Sequence, residues 1–167
     1  MDADKKKMAL RMIPYGIYVL TARSKDGEIA AATVNWVTQT SFNPPLVVVG
    51  VKADSGACHI LKQAGSFALN FLGQGQQGLA FTFFKPVDTS GGMLSGQAWR
   101  DGSTGSPILE IAPASVEFKV VEIVERGDHH IVIGEAVDVH AGAAIEGRPD
   151  DAVLHMRDLG DNVFYGG

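Results

Sequence analysis

Thr33, Asn35, Thr38, Gln39, Thr40 and Ser41 place six hydroxyl or amide side chains within nine residues. Such groups, with the backbone N–H donors beside them, can hold a phosphate or the polar edge of a heterocycle without a fixed charge. Trp36, in their midst, offers a flat apolar face. The run stops at Pro44-Pro45, and an apolar strand over residues 46–51 follows at once. That order would lay a polar ligand along a strand edge. The same residues also suit a plain polar strand-to-loop transition closed by two prolines, and composition alone favours the plainer reading. Ser55 is an N-cap whose neighbouring N–H groups could also receive an anion. Lys52 is either a nearby cation or a solvated side chain. His129 sits in Arg126-Gly127-Asp128-His129-His130 and, taken alone, reads as a turn histidine. Asp128 reads as a turn stabiliser, and His130 should point away from His129 because successive strand residues face opposite sides.

The elements that must position these residues follow from periodicity and turn chemistry. Residues 2–12 read as a short amphipathic helix ended by Pro14. Residues 16–22 and 29–35 read as strands joined by Ser24-Lys25-Asp26-Gly27. Residues 36–45 read as a loop and 46–51 as a buried strand. A helix should run from Ser55 to Ala64 and stop at Gly65. A strand over 67–72 and a helix over 74–84 come next. Residues 85–106 are rich in Gly, Ser and Asp and read as a long excursion, anchored by Met93, Leu94 and Trp99. The β-branched segments 114–125 and 131–140 read as a long hairpin. Residues 141–151 read as a polar connection, and 163–167 as a last short strand. Glu117 and Lys119 fall on one strand face and read as a solvated pair; His140 and His155 read as surface residues. Strands outnumber helices, so the expected class is mainly β, a small antiparallel barrel with peripheral helices, in a single domain spanning 1–167.

The totals exclude several functions. The chain has 167 residues, 46% of them apolar and 20% charged, an ordinary globular balance. A net charge of −5 argues against a basic nucleic-acid surface; the run Lys5-Lys6-Lys7 reads as a solvated helix face. Cys58 is the lone cysteine, so no disulfide forms within the chain and no cysteine-based metal motif is possible. His59 follows it, but no second pair completes a metal site, and none is expected. The N-terminus lacks the apolar core of a signal peptide, and no apolar run spans a bilayer; a cytoplasmic location and no membrane partner are expected. No Gly-x-Gly-x-x-Gly fingerprint is present, so any nicotinamide would bind without a Rossmann domain.

Four motifs in order resemble the flavin reductase-like family, the FMN-binding split barrels. They are Thr33-Val34-Asn35-Trp36-Val37-Thr38-Gln39-Thr40-Ser41-Phe42-Asn43-Pro44-Pro45, Gly65-Ser66-Phe67-Ala68-Leu69-Asn70-Phe71-Leu72, Gly105-Ser106-Pro107-Ile108-Leu109, and Gly127-Asp128-His129 followed by Ile131-Val132-Ile133-Gly134-Glu135. The resemblance covers about residues 15–140 and extends to flavoredoxin-type proteins and the flavin reductase module of diiron flavoproteins. It implies an FMN-binding split barrel, with FAD the other possible flavin. It also implies a homodimer with the flavin near the interface.

Carried over by position, the flavin contacts are Thr33, Val34, Asn35, Trp36, Thr38 and Ser41, partly through backbone groups. Lys52, Ala53 and Ser55 lie where the family approaches the ribityl chain and phosphate, and His59 is a weaker candidate near the phosphate. Many relatives carry Thr where this chain has Ala57, so one such contact is missing. The resemblance places His129 on the nicotinamide side of the flavin, where an imidazole can orient NAD(P)H. The implied activity is NAD(P)H-dependent flavin reduction, with electrons passing to free flavin, a metal complex or a protein. The alternatives are a flavoredoxin-type carrier fed by a protein, and a flavin-binding member without redox turnover. Residues 74–100 differ from many reductases and are candidates for shaping NAD(P)H access or a partner surface.

Overall fold

The computed structural model describes residues 1–142 and 145–167. In chain order the elements are α1 (Ala3–Arg11), β1 (Tyr18–Arg23), β2 (Ile29–Val34), β3 (Val37–Ser41), β4 (Leu46–Lys52), α2 (Gly56–Ala64), β5 (Ser66–Phe71), α3 (Gln77–Thr82), β6 (Trp99–Asp101), β7 (Pro107–Leu109), β8 (Ala114–Val124) and β9 (His129–Ala141). Seven strands form one sheet in the order β2-β1-β5-β8-β9-β4-β3, and β6 pairs with β7 beside it. Every ladder is antiparallel.

The two edge strands, β2 and β3, are consecutive in the chain and separated only by Asn35 and Trp36. The sheet must therefore curl until its edges meet. They meet at a seam that the chain itself crosses at Asn35 and Trp36; the Gly50 N–H bond to the Trp36 carbonyl at 2.8 Å continues the β3–β4 ladder, and among the described residues no ladder joins β2 to β3 or β4. The result is a barrel split along one side, as the class expectation required.

Strand β1 is apolar without alternation because it is buried on both faces. Leu20 and Ala22 point into the barrel with Val49, Phe67, Leu69, Phe118 and Val132. Ile17 and Val19 point outward into a second core with Leu72, Phe83, Leu94, Leu109 and Leu154. The excursion over 85–106 covers this second core. Leu94 is fully buried there, and the excursion carries β6. Helix α2 closes one barrel mouth. Its Ser55 hydroxyl accepts from Cys58 N–H at 3.1 Å, Gly65 ends it in the left-handed region, and Ala57, Cys58, Ile60 and Leu61 are its buried face.

Asn70 couples two of the four motifs. Its amide nitrogen donates to the Val19 carbonyl and the Thr21 hydroxyl, and its oxygen accepts from Leu109 N–H and the Ser115 hydroxyl. Every polar valence of this fully buried side chain is used, which ties β5 to β1, β7 and β8.

Several expectations need correction. Residues 37–41 are a strand, not a loop: Val37, Thr38 and Gln39 pair with Val49, Val48 and Val47. Their polar side chains face solvent on an edge strand, so no apolar alternation marks them. The third predicted helix, over 74–84, shrinks to Gln77–Thr82, and residues 163–167 form no strand. Within the connection 141–151, Ala143 and Ala144 lie outside the described residues, and Pro149–Ala152 is a 3-10 turn.

Glu117 is not a solvated partner of Lys119; it is fully buried. It accepts from Ser103 N–H at 2.8 Å, Thr104 N–H at 2.7 Å and His140 Nε2 at 2.6 Å, so His140 is a half-buried structural partner rather than a surface residue. Asp138 lies close by, but hydrogen bonds already account for this cluster. Burial alone would push the Glu117 pKa up. The Thr104 hydroxyl, His140 and the two N–H groups outweigh burial and hold it at about 2, below the ordinary 4.5. A depressed carboxylate contributes stability that is complete above 4.5 and is lost as pH falls toward about 2. Urea midpoints measured from neutral pH down through that window should fall steeply for the wild type. They should fall less for Glu117→Gln, and equal slopes would contradict the assignment.

Candidate active site

The seam opens into a cleft of about 240 Å³. Its walls are the end of β2 (Ala32 to Asn35), the end of β4 (Gly50 to Lys52) and the start of α2 (Ser55, Ala57). Phe83 and Phe84, just after α3, close one side; His129, Met156 and Tyr165 close the other. The antiparallel register explains how distant residues meet. Lys52 pairs with His129, so the end of β4 and the start of β9 arrive together.

Gly50 lets Trp36 lie against β4, since a Cβ there would sit 3.0 Å from the indole ring. Trp36 faces His129 with ring centres 4.5 Å apart and Tyr165 at 5.6 Å. Its indole Nε1 is buried and, among the described residues, has no hydrogen-bond partner. Such an atom is costly unless a ligand or water completes it.

Both ring nitrogens of His129 are engaged: Nδ1 lies 2.9 Å from Asp128 Oδ1, and Nε2 lies 2.7 Å from the Tyr165 hydroxyl. The hydrogen bond from His129 holds Asp128 below the usual carboxylate range. Asp128 thus orients His129 as well as forming the turn. Burial pushes the Tyr165 phenol up. His130 does point the other way, toward Cys58 Sγ at 3.7 Å, and burial raises that thiol.

Of the sequence candidates, Thr33, Val34, Asn35, Lys52, Ser55 and His129 line the cleft, with Trp36 packed behind them. The Thr33 hydroxyl is spent on the Ala80 carbonyl at 2.8 Å, and its N–H donates to the Phe83 carbonyl; Thr33 holds the α3 segment against β2. Asn35 is buried and donates to the Tyr165 carbonyl at 3.2 Å. Lys52 is not a free cation: Asp54 lies 3.0 Å away and holds the ammonium above its ordinary pKa.

Four candidates lie outside the cleft. Thr38 and Ser41 sit on β3, beyond the cleft wall. Ala53 N–H donates to the Asp128 carbonyl at 2.9 Å and is not available to a ligand. His59 is on the exposed side of α2, bonded to Gln63 at 2.9 Å, because the buried face of that helix is Ala57, Cys58, Ile60 and Leu61. The sequence reading missed Tyr165, Phe83, Phe84 and Met156. Nothing in their local spacing marks them; only the curl of the sheet and the return of the chain at 153–165 bring them in.

The model of the flavin reductase like domain matches residues 10–159. An NADH:FMN oxidoreductase from Rhodococcus qingshengii is 33% identical over 139 residues, which is 83% of this chain and 71% of that protein. A flavin reductase from Pseudomonas putida is 32% identical over 157 residues, 94% of this chain and 88% of its own length. The solved flavin reductase PheA2 superposes with a TM-score of 0.70 at 28% identity, over 85% of this chain and 89% of that one. The split barrel, the motifs in order and the extent of these matches agree: the chain belongs to the flavin reductase-like family.

Proposed function

We propose that this protein is an NAD(P)H-dependent flavin reductase that binds FMN in the seam cleft. The observation that carries the reading is the convergence there of His129, backed by the Trp36 ring, with the β2 end and the α2 start. The donor set suits the cofactor. The Asn35 amide suits the polar edge of a flat heterocycle, and Phe83, Phe84 and Met156 suit its apolar edge, with Trp36 packed behind. The first-turn N–H groups of α2, beside Ser55, suit a phosphate. Bound FMN supplies the hydride-accepting chemistry.

The chain's own residues do the rest. A carboxylate only accepts, so Asp128 fixes the proton of neutral His129 on Nδ1. Nε2 is then the acceptor that can orient a nicotinamide carboxamide beside the ring. The apolar rim keeps water from the transfer path.

Relatives named for NADH and for flavin reduction favour direct use of the nicotinamide over supply of electrons by a protein alone. We further propose one domain over residues 1–167 acting as a cytoplasmic homodimer. Val121, Ile131, Val137 and Val139 are exposed apolar residues of β8 and β9 that a second copy could cover. A buried free thiol and the lack, among the described residues, of any helix long and apolar enough to cross a membrane are compatible with that location. Light scattering should return the mass of two chains.

The decisive test is stopped-flow mixing of the FMN-loaded protein with NADH and with NADPH. Rapid bleaching of the flavin absorbance by either is expected. No bleaching by both would overturn the reductase reading, and a colourless protein that takes up no FMN would overturn the cofactor assignment.

A further inference from the structure

Tyr165 closes the site in a way that the proposed reaction does not tolerate. With the proton of neutral His129 held on Nδ1 by Asp128, the phenol O–H donates to Nε2 at 2.7 Å. His129 then has no hydrogen-bonding group left for a ligand. The rings of Trp36, His129 and Tyr165, with centres 4.5, 5.6 and 5.7 Å apart, form a closed triangle. Another ring reaches His129 Nε2 only if the phenol leaves.

The segment that carries Tyr165 is built to move. Among the described residues no strand pairs with 163–167. It is held by the Asn35 amide on the Tyr165 carbonyl, by Arg11 Nε on the Gly166 carbonyl at 3.3 Å, and by the Arg11 guanidinium 4.2 Å over the Phe164 ring. Gly160 at φ +131° and Gly166 at φ +127° flank it, in backbone conformations other residues rarely adopt. The phenol also has somewhere to go. A second cavity of about 380 Å³, lined by Tyr15, His155 and Phe164, shares Met156 and Tyr165 with the cleft as a common wall.

We propose that Tyr165 is an internal occupant of the nicotinamide position, displaced from His129 when NAD(P)H binds. The exchange is like for like: the N–H of the carboxamide replaces the O–H of the phenol on Nε2. Tyr165 is thus a positioning and specificity residue. It holds His129 in the receptive tautomer while the site is empty and admits only a ring able to take over its bond. This inference rests on the reductase reading.

The test is calorimetric titration of NAD⁺ and NADP⁺, which do not reduce the flavin, into the FMN-loaded wild type, Tyr165→Phe and Arg11→Ala. Tyr165→Phe should bind the preferred nucleotide about 5-fold more tightly, the worth of roughly one neutral hydrogen bond no longer displaced. Arg11→Ala, which touches neither cleft nor nucleotide, should shift binding the same way by a smaller factor. FMN affinity should stay unchanged in Arg11→Ala. In the FMN-free protein, ¹⁵N signals of the His129 ring should show Nε2 shifted by Tyr165→Phe, with Nδ1 still protonated. Weaker or unchanged nucleotide binding by Tyr165→Phe overturns the proposal, as does tighter binding of FMN instead. The two readings fail separately: if NADH bleaches the wild-type flavin and Tyr165→Phe binds no tighter, only this inference falls.

Discussion

Asn70→Ala is expected to destabilise the protein by roughly 4 kcal/mol, the largest single effect outside the cleft. The substitution strands the Leu109 N–H and the Ser115 hydroxyl, which lose their acceptor. The Val19 carbonyl, paired with residue 70 in the β1–β5 ladder, loses only its second donor. All lie in buried surroundings, and each such group costs about 1–3 kcal/mol when left unpaired. The Thr21 hydroxyl keeps its bond to the Pro107 carbonyl at 2.5 Å, which limits the loss. Against a typical total of about 5–15 kcal/mol, the thermal midpoint should drop by about 10 °C. Urea unfolding checks the figure, and a loss below about 1 kcal/mol would show that Asn70 does not join the strands it touches.

His129→Ala is the second large effect. Flavin reduction at saturating NADH should slow by about 10²-fold, the usual consequence of losing the group that aligns the donor. FMN should still bind, because the β2 end, Trp36 and the α2 start are untouched. Stopped-flow reduction gives the rate, and quenching of free-flavin fluorescence gives the affinity. An unchanged reduction rate would reduce His129 to a turn residue. Asp128→Asn should give a partial version of the loss, since an amide can still reach Nδ1 but no longer enforces its proton.

What could be seen in the sequence was whatever leaves a local trace. Helix α2 was legible because Ser55 and Gly65 are cap residues with their own chemistry. The β8–β9 hairpin was legible from its β-branched content. Strand β3 was not, because an exposed edge strand needs no apolar alternation and its hydroxyls read as a loop. The burial of Glu117 was hidden because the groups that neutralise its cost, Ser103 and Thr104, arrive from a loop 13 and 14 residues away. Half the cleft followed from the motif around Trp36. The other half could not, since Tyr165 stands 36 residues beyond His129 and meets it only through the closed barrel. The motif carried no sign that the donors of Thr33 and Ala53 are engaged within the fold, nor of the side of α2 that His59 takes, which packing decides.

The placement of the seam has a consequence for the life of the protein. A ring of strands joined at its seam by two residues is joined beside the cleft proposed for the flavin, so occupancy and closure would be one equilibrium. A ligand present at 100 times its dissociation constant adds about 2.7 kcal/mol to the folded state. Here that increment falls on the clasp at Asn35 and Trp36, between β2 and β3. Flavin supply then acts on abundance as well as on turnover. A cell short of FMN would hold more molecules with the clasp undone, open to proteases along the bare edges of β2 and β3, and amide exchange at Asn35 and Trp36 would report it first.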